Sequence, residues 1–311
     1  MNYPIFFNSK NSLNLFGLEA DLNFLSSLYS KKKLPKVLMF TGDKGSGKQT
    51  LVNHFLYSIF DSNNYNKKSF ALNGTSSFLK QFKNNVFSNI IYINGSDFKS
   101  VKVDDIRELK KKMFQSTILD HDRFIILNDI EIFNKNSLNA LLKIIEEPTK
   151  NNYFFLINNK SKPILETIKS RSLEIKIILN EGQRIKIIKN LLITFNQEQV
   201  LDPKTSQLSP GNFVRFNYLC HEYKIDILNK LKENLPILLN LYKKNKDILF
   251  INFAFFVVDY YFNYLSKKKA LRNDKIYEIK NFIFDNLNKF ILYNINQSSL
   301  LNAMNEKLNY E

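Results

Sequence analysis

Gly42-Asp43-Lys44-Gly45-Ser46-Gly47-Lys48 places three glycines and two lysines within seven residues. Glycines let successive backbone N–H groups turn inward around an anion. A lysine closing such a loop reaches the outer phosphates of a nucleotide. The loop follows a short apolar run, Val37–Thr41, that ends at glycine as a buried strand does. It precedes Leu51, Val52, Phe55, Leu56 and Ile59, whose spacing is helical. Strand, loop and helix are the context a phosphate loop needs, because the helix adds its N-terminal dipole. The candidate nucleotide contacts are Gly42, Lys44, Gly45, Gly47 and Lys48.

The magnesium half of such a site is altered. A hydroxyl should follow the lysine to hold the cation. Gln49 stands there instead, and Thr50 comes one residue late, about 100° further round the helix. The segment Phe124–Glu131 reads as a strand that should end in an acid, but Asn128 holds that position and Asp129 follows it. An amide supplies no negative charge to a cation. Alternation along a strand turns Asp129 away from where Asn128 points. Gln49, Thr50 and Asp129 remain weaker candidates for the site, Mg²⁺ binding is doubtful, and Asp129 serving one residue late is the alternative.

The elements around the loop can be read from periodicity. Asn89–Ile93, Arg123–Leu127, Tyr153–Ile157 and Leu173–Ile178 are further strand candidates. Asp104–Met113 reads as a helix with acids first and lysines last, matching its dipole. Asn136–Glu147 reads as a helix stopped by Pro148. Alternating strands and helices predict an α/β fold with a parallel sheet covered on both faces. Beyond about Asn180 the strand signal fades. Gln183–Phe195 is helical, Ser206–Asn212 carries the punctuation of a break, and long helices run from about Ile225. Three parts are expected: a P-loop α/β domain at 1–179, a small helical domain at 180–224 and a helical domain at 225–311.

Composition bounds the rest. The 311 residues include 45 Lys and Arg against 29 Asp and Glu, a formal charge of +16. With 44 % hydrophobic residues the chain can fill packed cores, which excludes a mostly disordered protein. A single cysteine, Cys220, excludes an intramolecular disulfide framework and a Cys-pair zinc site. His54, His121 and His221 show no ligand spacing. The charge fits a nucleic-acid partner. It fits equally a drift of composition, since Lys, Asn, Ile, Phe and Tyr are all abundant while Gly numbers 8, Pro 7 and Trp 0. The runs Lys31–Lys33, Lys110–Lys112 and Lys267–Lys269 read as solvated faces. The longest apolar stretch, Ile248–Val258, is interrupted at Asn252 and falls short of the roughly 20 residues that cross a bilayer. Met1–Lys10 lacks a basic region followed by an apolar run. A soluble, cytoplasmic protein is the expectation.

Four stretches then carry a resemblance: Val103-Asp-Asp-Ile-Arg-Glu-Leu109, Asn134, Leu138-Asn-Ala-Leu-Leu-Lys-Ile-Ile-Glu-Glu-Pro148 and Glu166-Thr-Ile-Lys-Ser-Arg-Ser172. In this order they resemble the AAA+ subunits of bacterial DNA polymerase III clamp loaders, from about Phe16 to Ser172. Ser172 replaces the cysteine of the family's Ser-Arg-Cys, Glu166 a proline, and Thr149 a second proline. The resemblance implies a AAA+ P-loop domain, a helical lid and an all-α collar that includes Phe250–Tyr264. It implies that Arg171 reaches in trans to the γ-phosphate on a neighbouring subunit. It places Asn158 and Asn159 at a polar sensor position, although an Asn pair also forms turns. Gly211 falls near the lid's sensor arginine, with Arg215 one turn later. Glu146 and Glu147 end their helix against its dipole, in a region that faces a neighbour in the family.

Asp61–Ile90, where motor subunits carry a zinc module, holds no cysteine. With Gln49 and Asn128, this resembles the delta-prime class more than gamma/tau. The implied role is a stator whose own ATP hydrolysis is lost, with Lys48 and a glycine loop that could still hold ATP. Its implied partners are gamma/tau and delta, and through them the sliding clamp and primed DNA. The alternative is an active gamma/tau-type motor. No polymerase acid pair is visible, so bond formation would belong to the assembly.

Overall fold

The computed structural model describes residues 3–97, 101–114, 122–149, 151–228, 231–268, 272–293 and 295–308. His121 and Lys269, named above, lie outside them. The chain divides into two units. The first holds residues 3–196 and 207–214, and the second holds 197–206 and the described residues of 215–311.

The first unit begins with α1 (Glu19–Ser30), β1 (Val37–Thr41) and α2 (Lys48–Phe60). A small hairpin of β2 (Tyr65–Asn66) and β3 (Ala71–Leu72) and the helix α3 (Ser77–Lys83) come next. Then follow β4 (Ile90–Asn94), α4 (Val103–Phe114), β5 (Arg123–Asn128), α5 (Lys135–Ile145), β6 (Asn152–Asn158), α6 (Glu166–Lys169), β7 (Leu173–Lys176) and α7 (Glu181–Thr194). Five strands form one sheet in the order β4-β5-β6-β1-β7, and every neighbouring pair is parallel. Every residue of β1, β5 and β6 is buried, as a parallel sheet covered on both faces requires.

The period of two divides the strands between two cores. Leu38, Phe40, Phe124 and Ile126 join Leu51, Phe55 and Leu56 of α2 on one face. Met39, Ile125 and Leu127 join Ile106 of α4 and Leu141 of α5 on the other. Sequence-local caps set the helix starts. Asn134 accepts the Ser137 N–H at 2.7 Å ahead of α5, and Asn180 and Gln183 form a capping box on α7. The helix α5 ends at Ile145, two residues before the expected Glu147, and Glu146 is its C-cap. β7 likewise stops at Lys176 rather than Ile178. The helix α1 and the β2–β3 hairpin carry no expectation from the sequence.

His54 on α2 is fully buried. Its Nε2 faces the Ser12 carbonyl at 3.0 Å, so Nε2 carries the hydrogen and Nδ1 accepts from the Tyr65 hydroxyl, also at 3.0 Å. Burial pulls its pKa down to about 4, against an ordinary 6.5. The unfolded chain therefore binds a proton that the folded chain refuses. His54 contributes fully above pH 6.5, and stability is lost as pH falls from 6.5 towards 4, by up to roughly 3 kcal/mol. Urea titrations between pH 7 and pH 4 should show this slope, and His54→Gln should flatten it. An equal slope in both proteins would refute the assignment.

The second unit is helical. It contains α8 (Pro203–Ser206), all but the first turn of α9 (Pro210–Glu222), α10 (Leu231–Asn245), α11 (Ile248–Lys267), α12 (Asn273–Tyr293) and α13 (Gln297–Leu308). α11 packs against α10 and α12, and α13 against α10 and α12. The apolar stretch does not end at Val258, contrary to the expectation of a run too short to cross a bilayer. The helix extends to Lys267, and its 20 residues are long and apolar enough to cross a membrane by length and composition. Half of that apolar window is buried inside the unit, however. Phe250, Phe253, Ala254, Val257, Tyr261 and Phe262 recur at helical spacing and face the neighbouring helices.

Candidate functional site

The loop leaves the C-terminal end of β1, where parallel α/β sheets place their ligands. Gly45 (φ +86°) and Gly47 (φ +95°) adopt the left-handed conformation that glycine alone adopts without strain. α2 starts at Lys48, so the sequence-predicted strand, loop and helix are all present. The backbone N–H of Gly42 donates to the Asn158 carbonyl at 3.2 Å, and that of Ile177 donates to Thr41 at 2.8 Å. Gly42, Lys44, Gly45, Gly47, Lys48 and Asn158 are therefore brought together. The Asn158 side chain is spent locally, accepting the Lys160 N–H at 2.9 Å.

Lys48 is buried and folded back on its own loop. Its Nζ donates to the carbonyls of Gly42 at 2.6 Å and Asp43 at 2.7 Å. Desolvation pulls its pKa down to about 8, and Asp43, Glu131 and Asp129 oppose that shift. The start of α9 lies against the same loop. Gly211 N–H donates to the Gly45 carbonyl at 2.8 Å, and the Ser209 hydroxyl to the Lys44 carbonyl at 2.6 Å. A Cβ on Gly45 would lie 2.5 Å from Ser209 Oγ and 2.8 Å from the Asn212 nitrogen. The segment Ser209–Asn212 thus closes over Gly45.

The polar side chains at the metal half are hydrogen-bonded to one another. Gln49 donates through Nε2 to the Tyr92 hydroxyl on β4. Thr50 is half-buried on the first turn of α2. Asn128 closes β5 and donates to Asn94 Oδ1 at 2.9 Å. Asp129 lies beyond the strand in the left-handed region (φ +53°), so strand alternation does not decide where its side chain goes. Its Oδ2 accepts from Ser96 Oγ at 2.7 Å, and its Oδ1 accepts from the Asn159 amide. A cation here would compete with these hydrogen bonds for the Asp129 carboxylate, while Glu131 Oε2 is buried without a hydrogen-bond partner among the described residues.

Arg171 makes its contacts elsewhere, just after α6. Its Nε donates to Glu146 Oε1 at 2.8 Å, and its Nη2 donates to the same oxygen. Its Nη1 donates to the Thr167 carbonyl at 3.2 Å and to Ser170 Oγ at 3.3 Å. About a third of the side chain is exposed.

Sequence reasoning missed Tyr92, Ser209 and Glu131. Glu131 is buried. Its Oε1 accepts from the Asn159 N–H at 3.1 Å and the Ser161 hydroxyl at 2.8 Å, which fixes the turn after β6. A second acid, three residues past a buried strand and two past Asp129, was the available signal. Tyr92 gives none, because its partner is 43 residues away.

The chain matches the family described as "DNA polymerase III, delta subunit" over residues 17–180. It is 28 % identical over 205 residues to DNA polymerase III subunit delta' of Buchnera aphidicola subsp. Schizaphis graminum, covering 61 % of this chain and 60 % of that one. It is 24 % identical over 197 residues to DNA polymerase III subunit gamma of Buchnera aphidicola subsp. Acyrthosiphon pisum, covering 62 % and 53 %. The match thus spans little more than half the length of these relatives. Among solved structures, a DNA polymerase III gamma subunit-related protein of Thermotoga maritima superposes with a TM-score of 0.50 at 15 % identity, over 92 % of this chain and 99 % of that one. That likeness is one of fold.

Proposed function

Because the chain belongs to the DNA polymerase III delta-subunit family of clamp-loader AAA+ proteins, we propose that it acts as a delta-prime-like stator rather than as a motor. One observation carries this reading. Gln49, in the place of the magnesium hydroxyl, is committed to Tyr92. Asn128 removes the charge that would anchor the cation, which leaves an uncatalysed γ-phosphate even if a nucleotide sits on the loop. Lys48, the glycines and the α2 N-terminus retain the means to hold phosphate oxygens. Binding would require Lys48 to leave the Gly42 and Asp43 carbonyls.

In this reading the chain assembles with gamma/tau and delta subunits and helps load the sliding clamp onto primed DNA in the cytoplasm. Residues 180–224 serve as the lid and 225–311 as the collar. The chemistry it supplies is Arg171, offered in trans to a neighbour's ATP. A guanidinium there offsets the charge that spreads over the transferring phosphoryl group.

The test is ATP turnover by the purified chain alone with Mg²⁺, beside Lys48→Ala. The expected result is no turnover above that of the Lys48→Ala protein. Turnover that depends on Lys48 would overturn the stator reading in favour of a gamma/tau-type motor, with Thr50 and Asp129 serving the metal.

A further inference from the structure

We infer that Glu146 is the positioning residue for Arg171, holding its guanidinium plane ready before a neighbouring subunit arrives. The inference rests on the role proposed above for Arg171. α5 ends at Ile145, and Glu146 caps it with its N–H on the Leu142 carbonyl at 3.0 Å. A carboxylate at a helix C-terminus opposes the dipole, so helix stability does not account for it. What it meets is Arg171, 25 residues away in sequence.

The geometry is directional. One carboxylate oxygen, Oε1, takes both Nε and Nη2, which fixes the plane of the fork. Nη1 is turned to Thr167 and Ser170 of the same short segment. Four of the five guanidinium N–H groups are thus engaged, and one on Nη2 is left over. The pair is open to solvent, with 35 % of the arginine and 47 % of the glutamate side chain exposed. An ion pair that exposed adds little stability. It does remove the rotamer freedom of a long side chain, the entropy that a reaching arginine otherwise loses on engaging its target. It also leaves the group accessible to a phosphate brought by a partner.

The test uses the assembled loader containing this chain, with ATP turnover measured for Glu146→Gln, Arg171→Ala and the double variant. Glu146→Gln should lower kcat about three- to fivefold, the upper range for an exposed ion pair. KM for ATP should stay unchanged, because the interaction belongs to the transition state. The effect should vanish in the Arg171→Ala background, and thermal unfolding of the free Glu146→Gln chain should match the parent. Three results would overturn the inference: unchanged turnover, faster turnover (a latch that competes with the neighbour), or an equal loss in the Arg171→Ala background. The reading of Arg171 fails separately, if Arg171→Ala alone leaves turnover intact.

Discussion

Arg171→Ala should leave the free chain folded and sharply reduce ATP turnover in the assembled loader. Two magnitudes separate the effects. In the fold, Arg171 gives up one partly exposed ion pair and two hydrogen bonds longer than 3.0 Å, worth about 1 kcal/mol or less. At a phosphoryl-transfer site, an arginine supplied in trans is worth about 10³-fold or more. The site that Arg171 faces should therefore fall silent, and the remaining turnover should equal the share of the other sites. Arg171→Lys should not restore it, because an ammonium lacks the planar fork. Turnover of the Arg171→Ala loader within error of the parent would end the trans-arginine reading.

The parts of this molecule that could be read in advance are those set by neighbours in sequence. β1 runs from Val37 to Thr41 as expected, because four apolar residues, a threonine and a glycine are enough to mark a buried strand that ends in a turn. The phosphate loop is local for the same reason. Its occlusion is not, since Ser209 lies 165 residues from Lys44, and a Ser-Pro-Gly run reads only as a break. The Gln49–Tyr92 bond exists because α2 and β4 meet across one face of the sheet, which no spacing within either element reveals. Asp129 could be misplaced because alternation holds only while the strand continues, and β5 ends one residue earlier. Glu146 was visible as an oddity of charge against the α5 dipole. Its partner became visible only once α6 was placed beside α5.

Phe124→Ala should destabilise the α/β unit by about 3–5 kcal/mol. Phe124 is fully buried on β5, between Ile90 of β4 and Tyr153 of β6 in register. Its ring lies 5.3 Å from Tyr153, 5.4 Å from Phe155, 5.7 Å from Phe55 and 5.8 Å from Phe60. Truncation would open a cavity walled by aromatic rings, which cannot collapse inward without breaking their mutual packing. For a unit of this size the melting temperature should fall by about 10 °C. Phe24, on the same unit but 54 % exposed, provides the contrast: Phe24→Ala should stay within about 0.5 kcal/mol. A Phe124→Ala protein melting within about 2 °C of the parent would mean that the cluster does not hold the sheet. The consequence reaches the loop. β4 and β5 are the strands that bring Tyr92 to Gln49 and Asn128 to Asn94, so the aromatic core sets where these side chains meet beside the loop.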